Sequence, residues 1–258
     1  MTQPCHNRGV PPLLRRPLRS GPIPTLGAAL LVLALVIISP TSGATAKTRA
    51  INANGQGNLL IIGDSLTLGA DAFGSLAAKI RKTRKWTSVT INTRVGRKAS
   101  VGADMLPDKI LGNTTAIVVA LGINDMTSRT ERWYPRWVID RVMANTLDIP
   151  VLWVNLKFSN DRPNWKTRAN RFNRALRQAK HRYPTLTIAD WNSSFIPKSS
   201  SRFISDGVHL TVSGYRTRAS FLIRAIAKFG TAIVNATSTT TSTTTTIEST
   251  TTSTIVEP

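Results

Sequence analysis

The feature that most constrains the fold is a regular alternation of two patterns between residues 58 and 230. Short apolar runs that end in glycine or polar residues are typical of strands buried in a parallel sheet. Stretches with an apolar residue at every third or fourth position are typical of helices. The alternation therefore predicts an α/β fold, a three-layer α/β/α sandwich with a mostly parallel five-stranded sheet and right-handed crossovers. Strands are predicted at 59–62, 89–91, 116–121, 151–156 and 186–189, and helices at 70–85, 101–111, 132–145, 165–182 and 212–229.

The N-terminal segment has the composition of an export signal. It combines Arg15, Arg16 and Arg19 with an apolar run at 26–38 and the small-residue site Ala44-Thr45-Ala46. We predict that residues 1–46 form a signal peptide and that the protein is exported to the extracellular space or the cell envelope. Because the apolar run with its flanks approaches the roughly 20 residues of a membrane span, an N-terminal anchor is the alternative.

Two further segments flank the alternating region. Residues 47–57 are predicted to be a short linker, which leaves one domain at 58–230. Residues 231–258 are rich in Thr and Ser, which make up 17 of the 28 residues. Such a composition buries too little apolar surface to offset the entropy of ordering, so we predict a disordered tail.

The net charge and the content of cysteine and histidine indicate which binding partners, metals and cofactors to expect. The formal net charge is +21, and it is still +17 without the predicted leader, which holds four arginines and no acidic residue. No zinc-finger spacing or RNP signature accompanies this charge, so nucleic acid is not an expected partner. An anionic cell-wall polymer and a generally basic surface remain the two interpretations. The only cysteine is Cys5, and His6, His181 and His209 are scattered, so no metal site and no cofactor are expected.

Two short blocks follow predicted strands. Ser65, in Gly63-Asp64-Ser65-Leu66, lies at a strand-to-helix turn, where its N–H can face a developing oxyanion. The alternative is that Asp64-Ser65 only caps the following helix. Asn124, in Gly122-Ile123-Asn124-Asp125, follows the third strand and offers an amide donor, although Asn is also common in turns.

A third block offers an acid–base pair. Asp206 and His209, in Asp206-Gly207-Val208-His209, are three residues apart just before the last predicted helix. At this spacing the carboxylate can reach Nδ1 of the imidazole while Nε2 faces Ser65, so the histidine can act first as a general base and then as a general acid. A structural histidine near a helix start is the alternative. Together, the three blocks favour a serine esterase.

The three blocks resemble the first, third and fifth blocks of the SGNH, or GDSL, hydrolase superfamily. Gly96 in Val95-Gly96-Arg97 is the best match to the second block, with Gly102 as the alternative. The resemblance covers residues 58–230. It implies a flavodoxin-like sheet, an oxyanion hole formed by Ser65, Gly96 and Asn124, and an Asp206 that orients His209.

Finer features are similar to the extracellular SGNH domain of bacterial cell-surface O-acyltransferases, which include peptidoglycan and polysaccharide O-acetyltransferases. They are Val95-Gly96-Arg97, Asp190-Trp191 and the residues from Asp206 to Thr211. The membrane unit that commonly precedes that domain is not in this sequence, and Asp125 follows Asn124 as in free-standing esterases of the superfamily. Both departures favour hydrolysis over transfer.

The sequence leads to one preferred function and two alternatives. The preferred one is an exported serine esterase that removes acetyl or short acyl groups from cell-envelope carbohydrate through an acyl-serine intermediate. The alternatives are an O-acyltransferase that modifies a cell-wall glycan with a separate membrane partner, and a catalytically silent basic wall-binding module. Two sets of residues could contact such polymers: Arg168, Arg171, Arg174 and Arg177, and the aromatic Trp133, Trp137 and Trp165. The simpler interpretation is a solvated helix face for the arginines and core or edge packing for the tryptophans.

Overall fold

A single parallel sheet organises the domain. The structure is a computed structural model that describes residues 57–194 and 199–249, with side chains described for 57–194 and 201–237. Five strands pair in the order β2-β1-β3-β4-β5, all of them parallel. The predicted α/β/α sandwich with a five-stranded parallel sheet is confirmed. The strands are β1 Asn58–Gly63, β2 Ser88–Thr93, β3 Thr114–Ala120, β4 Val151–Val154 and β5 Leu186–Ala189.

The central strands are apolar along nearly their whole length because helices cover both faces of the sheet. Every residue of β3 is buried, and so is every residue of β1 after Asn58. The outer strands β2 and β5 keep exposed residues. Near the middle of the sheet, Ile61 of β1 lies in register with Ile91 of β2 on one side and Val118 of β3 on the other.

The helices form the two outer layers. Helices α1, α2 and α8 pack together as one layer, whereas α3, α5 and α6 form the other. A 3₁₀ turn at Ser199–Arg202 precedes the last helix. The helices are α1 Ser65–Gly74, α2 Leu76–Lys82, α3 Ala99–Lys109, α4 Ile123–Ser128, α5 Tyr134–Ala144, α6 Pro163–Ala179, α7 Trp191–Ser194 and α8 Val212–Ser249.

Helices α1 and α8 approach each other unusually closely. A Cβ atom added to Gly69 would lie 2.2 Å from the Tyr215 ring, and one added to Gly74 would lie 2.3 Å from Cβ of Ala219. Real Cβ atoms do not approach other atoms so closely, so only glycine fits at these two positions. The phenyl ring of Phe73 stacks on Tyr215 beside this contact, with centroids 5.5 Å apart.

The helix predicted at 70–85 is two helices, and it begins earlier than expected. Helix α1 starts at Ser65, directly after β1, and the chain breaks at Ser75, whose φ is +55°. The carboxylate of Asp71 accepts the N–H of Ala77 at 2.7 Å and so caps α2 across this break. The short helices α4 and α7 were not predicted, because four to six residues are too few to show a helical period.

The last helix runs beyond the expected domain end. Helix α8 continues past Gly230 to Ser249, where composition predicts a disordered tail. Ile233 packs against the core, which gives the first turns after Gly230 a tertiary contact that the Thr/Ser composition conceals. The predicted signal peptide or anchor at 1–46, the predicted linker at 47–57 except Gly57, and residues 250–258 of the predicted tail lie outside the described residues.

Helix α8 also has the length and composition of a membrane span. Among the described residues, Val212–Thr237 is the one helical segment long and apolar enough to cross a membrane by these criteria. Its residues Ala219, Leu222, Ile226 and Phe229 are buried in the domain core. This is the packing of a core helix.

Candidate active site

Ser65 is the first residue of α1, at the carboxyl edge of the sheet. Asp64 is the N-cap, and its Oδ1 accepts the N–H of Leu66 at 3.0 Å. The capping role therefore falls to Asp64, and Ser65 presents its hydroxyl beside it. The first N–H groups of a helix have no acceptor within the helix, and they carry the positive end of the helix dipole. The N–H of Ser65 is thus suited to stabilise negative charge on a bound carbonyl oxygen.

The structure brings Ser65, His209 and Asp206 together. Nε2 of His209 lies 2.9 Å from Oγ of Ser65, and Nδ1 lies 2.6 Å from Oδ2 of Asp206. Because the carboxylate can only accept, Nδ1 carries the proton and Nε2 is left to accept the hydroxyl proton of Ser65. The isolated antiparallel bridge between Phe203 and Leu210 closes the loop that holds the acid–base pair.

Asp206 is kept ionised by its hydrogen bonds. Its Oδ1 accepts the backbone N–H groups of Val208 at 2.8 Å and His209 at 2.9 Å. Burial raises the pKa of Asp206, but the hydrogen bonds from the His209 ring and these two N–H groups outweigh it and hold the pKa below its ordinary value. A charged Asp206 in this position holds the proton on Nδ1 of His209 and would stabilise an imidazolium if His209 took a proton.

Asn124, in α4, has its side chain beside that of Asp64, the N-cap of α1. Its side-chain amide donates to Oδ2 of Asp64 and to the carbonyl oxygen of Arg97, both at 3.2 Å. Both N–H bonds of the amide are therefore occupied, so donation to an oxyanion must share or replace one of these long contacts. Gly96 precedes Arg97 in an exposed turn after β2 with a φ of +71°. The alternative, Gly102, lies within α3 and packs against Leu121.

Arg97 ties this turn to the sheet, a role that the sequence analysis missed. The guanidinium is buried and donates to the carbonyl oxygens of Gly63 at 3.2 Å and Asn92 at 2.8 Å. A third bond reaches the side-chain oxygen of Asn92 at 2.8 Å. Arg97 thus joins the ends of β1 and β2 and holds in place the loop that carries Gly96. Its position directly after Gly96 was the only signal available in the sequence.

Arg162 supports the acid–base loop from the other side. It donates to the carbonyl oxygens of Ser205 at 2.7 Å and Asp206 at 3.2 Å. The N–H of Ser159 adds a bond to the carbonyl oxygen of Gly207 at 3.0 Å. These contacts join residues more than 40 positions apart, and no local pattern marks them in the sequence.

Two other acids near the site have different partners. Asp125 is fully buried, and its carboxylate accepts the Tyr134 hydroxyl at 2.5 Å and the N–H of Ala99 at 2.8 Å. Burial raises the pKa of Asp125, and burial together with the bond to Asp125 raises the pKa of Tyr134 to about 12. Asp190 accepts from the Asn155 side chain at 2.7 Å and from the N–H of Ser193 at 3.1 Å.

Asp64, the residue before Ser65, forms a buried pair of opposite charge with Arg218. Asp64 and Arg218 are 1% and 3% exposed, and both line a small cavity that Trp191 also borders. Burial raises the pKa of Asp64 to about 6, against the opposing effect of the Arg218 charge. Burial also lowers the pKa of Arg218 to about 10. The guanidinium of Arg218 lies over the Trp191 ring, 5.2 Å from its centroid.

The raised pKa of Asp64 predicts a distinct pH dependence of stability. Between about pH 4 and pH 6 the folded protein retains a proton on Asp64 that the unfolded chain has released, so this group makes the free energy of unfolding fall as pH rises. A rise from 3.8 to about 6 corresponds to about 3 kcal/mol. We therefore expect the free energy of unfolding of the wild type, minus that of Asp64→Asn, to drop by about this amount between pH 4 and pH 7.

Urea denaturation of both proteins at half-unit pH steps measures this difference. Arg218 stays charged in both proteins over this pH range, since its pKa is about 10, so the titration of Asp64 is what makes the difference vary with pH. The same substitution at exposed Asp104 is the matched control. A difference that stays constant or grows between pH 4 and pH 7 would contradict the buried-carboxyl interpretation.

The chain and its fold are similar to several known proteins. The chain is 23% identical over 170 residues to "Putative peptidoglycan O-acetyltransferase YrhL" of Bacillus subtilis (strain 168). The aligned region makes up 65% of this chain but only 23% of that relative's length. The fold is similar to that of a lipase/acylhydrolase from Enterococcus faecalis, with a TM-score of 0.57, 17% identity, and coverage of 66% of this chain and 94% of that one. It is also similar to the C-terminal catalytic domain of Streptococcus pneumoniae peptidoglycan O-acetyltransferase A, solved with a methylsulfonyl adduct, with a TM-score of 0.55, 17% identity, and coverage of 67% and 94%.

The family assignment rests on the sequence match. The model of the GDSL-like lipase/acylhydrolase family matches residues 61–217, which run from β1 into α8 and make up more than half of the chain. The fold and this match support an enzyme that acts on esters. The protein belongs to the GDSL-like lipase/acylhydrolase family.

Proposed function

We propose that the protein is an exported serine esterase that hydrolyses acetyl or short acyl esters on cell-envelope carbohydrate. The observation that carries this proposal is the continuous chain of contacts from Ser65 through His209 to Asp206, with separations of 2.9 and 2.6 Å. A hydroxyl, an imidazole and a carboxylate in this order form the arrangement that activates a serine for acyl transfer.

The geometry supports a two-step reaction. In the first step Oγ of Ser65 attacks the ester carbonyl while Nε2 of His209 takes the hydroxyl proton, and the C–O bond to the sugar then breaks as His209 returns that proton to the leaving oxygen. In the second step a water molecule attacks the acyl-serine while Nε2 of His209 takes its proton, and the bond from the acyl carbon to Oγ of Ser65 then breaks as His209 returns the proton to Oγ, which releases the carboxylic acid and restores the Ser65 hydroxyl. The N–H groups of Ser65 and Gly96 and the amide of Asn124 are the proposed donors to the oxyanion in both steps.

An ester on a large polar molecule suits the openness of the site. The side chains of His209 and Asp206 are 37% and 42% exposed, so the acid–base pair is reached from solvent. The relatives named for peptidoglycan O-acetylation favour an envelope glycan as the carrier of the acyl group. The export predicted from residues 1–46 would place the protein beside such a glycan.

The basic surface supports an anionic cell-wall polymer as a binding partner. Helix α6 carries Arg168, Arg171, Arg174 and Arg177 and contains no acidic residue. Arg168 and Arg171 donate to the carbonyl oxygens of Met126, Thr127 and Thr130, so part of this charge also holds α4 and the segment after it in place. We propose that the remaining positive field concentrates the protein on a polyanionic envelope.

The second candidate function is an O-acyltransferase fed by a separate membrane protein. The relatives described as O-acetyltransferases favour it. In that case a sugar hydroxyl replaces water in the second step, and the residues keep the same roles. The third alternative, a silent wall-binding module, predicts no turnover at all.

Kinetic assays on the purified full chain separate these functions. We expect hydrolysis of p-nitrophenyl acetate and release of acetate from O-acetylated envelope glycan, with rates that fall as the acyl chain lengthens. A transferase would instead form acetylated sugar when an unmodified glycan acceptor is added with p-nitrophenyl acetate, at the expense of free acetate. Absence of turnover on every ester, together with retained binding to envelope glycan, would support the silent module and contradict the esterase.

A further inference from the structure

Two tryptophans that the proposed reaction does not use stand exposed side by side. Trp133 is 60% exposed and Trp137 is 42% exposed, with ring centroids 6.1 Å apart and ring planes at 83°. Large aromatic side chains stabilise a fold most when they are buried, so adjacent exposed rings are typical of surfaces that bind a ligand or partner. Together with Tyr134 they form a cluster that we call the aromatic platform.

The aromatic platform is fixed rigidly to the candidate active site. Tyr134 is buried at the start of α5, and its ring lies 5.9 Å from that of Trp133 and 5.4 Å from that of Trp137. Its hydroxyl donates to Asp125, which directly follows Asn124 in α4. Because α4 and the start of α5 both follow the carboxyl end of β3, the platform lies at the edge of the sheet that carries Ser65.

Most of the arginines beside the rings are paired with acids, although exposed Arg132, directly before Trp133, has no acid partner among the described residues. Arg129 lies over the Tyr134 ring and Arg141 over the Trp137 ring, 5.1 and 5.5 Å from the centroids. Each of these arginines is paired with an acid, Arg129 with Glu131 at 3.2 Å and Arg141 with Asp104 at 2.5 Å. Within the described part of the chain, neither the Trp133 nor the Trp137 indole N–H has a hydrogen-bond acceptor.

This combination fits a sugar ring better than a polyanion. A pyranose has an apolar C–H face that can pack on an indole and hydroxyl groups around its edge that can bond to a polar rim. A polyanion would favour the arginines of α6, where no acidic residue neutralises them within the helix. A cluster in which most cations are paired with acids, beside two free indole N–H groups, offers less to a polyanion than α6 does.

We propose that the aromatic platform is a carbohydrate-binding subsite that stacks a pyranose ring of the glycan whose ester reacts at Ser65. The proposal rests on the proposed function for its choice of substrate class. It adds a specific role for Trp133 and Trp137, which contact a sugar unit other than the one that carries the reacting ester. The subsite therefore favours esters on oligomers over small free esters.

Binding without turnover tests the subsite independently of catalysis. The full chain carrying Ser65→Ala is titrated with chitotetraose, a soluble β-1,4-linked N-acetylglucosamine oligomer, and followed by calorimetry. We expect saturable binding that becomes roughly tenfold weaker or more with Trp133→Ala or Trp137→Ala, on the scale of a lost aromatic stacking contact. Trp133→Tyr keeps a stacking ring and should retain most of the affinity. Phe73→Ala removes an exposed aromatic ring, 47% exposed, from α1 in the other helix layer and is the matched control.

A kinetic comparison completes the test in chains with an intact Ser65. The loss of kcat/KM in the Trp133→Ala and Trp137→Ala variants should be at least tenfold larger for O-acetylated glycan oligomers than for p-nitrophenyl acetate. Binding that is absent, or equal in all variants, would overturn the subsite even if the esterase is active. A change from dimer to monomer in light scattering, without loss of sugar binding, would assign the platform to self-association instead. Normal sugar binding without any ester turnover would retain the subsite and contradict the proposed function.

Discussion

Replacing Ser65 with alanine is expected to lower kcat/KM for p-nitrophenyl acetate at least about 10⁴-fold. The hydroxyl of Ser65 is the group that faces Nε2 of His209, at 2.9 Å, so its removal leaves the base without a nucleophile. The fold should be unaffected, because the N-cap bond of α1 belongs to Asp64 and alanine is a good helix former.

Covalent labelling provides a second readout of the same change. Methanesulfonyl fluoride should add one methylsulfonyl group to the wild-type chain and none to Ser65→Ala, as measured by intact mass spectrometry. Ser220→Ala is the control, because the Ser220 hydroxyl on α8 only donates to a carbonyl of its own helix and that variant should still be labelled. Stoichiometric labelling of the Ser65→Ala chain would identify another nucleophile and refute the assignment.

The second large effect is expected from Asp206→Asn, with a loss of kcat/KM of up to about 10⁴-fold. The amide cannot stabilise the imidazolium, and its NH₂ group favours the tautomer of His209 that protonates Nε2, the atom that must accept the Ser65 proton. Because the pKa of Asp206 lies below its ordinary value, protonation of Asp206 in the wild type affects the rate only below about pH 4.

Two further variants show whether the pair acts as a unit. His209→Ala should lose nearly all activity, and the His209→Ala/Asp206→Asn double variant should be hardly slower, since removing one member already disables the others. Asp190→Asn is the matched control, because Asp190 bonds to Asn155 and Ser193 rather than to the histidine. Equal rates for Asp206→Asn and the wild type, measured as kcat/KM at one pH, would show that another acid supports His209.

The strands were predictable because the residues that define them are neighbours in sequence. The run Leu59-Leu60-Ile61-Ile62 is apolar because both faces of β1 are covered, and that requirement is visible in the sequence itself. The acid–base pair is local in the same sense, since the three-residue spacing of Asp206 and His209 is enough to bring the carboxylate to Nδ1. Placing Ser65 opposite Nε2 required the whole fold, since 144 positions separate the two residues.

The residues that support the candidate site could not be predicted, because their partners are distant in sequence. Arg97, Arg162 and Arg218 are three of 34 Lys and Arg residues, and nothing in their immediate neighbours distinguishes the ones that become buried or bond to the loops of the candidate site. The amide of Asn124 was expected to face the oxyanion, and only the structure shows its contacts with Asp64 and Arg97. Such roles depend on partners supplied by distant segments, so they appear only when the sheet brings those segments together.

The glycine contacts between α1 and α8 have a consequence for how this enzyme can change. Ser65 begins α1 and His209 precedes α8, so the separation of their side chains depends on how closely the two helices pack. Gly69 and Gly74 allow this close approach, and a side chain at either position would have to displace the Tyr215 ring or push the helices apart. The reacting atoms therefore have little freedom to drift under mutation. New ester preferences would have to arise in the loops and surface rings around a pair of atoms whose spacing stays fixed.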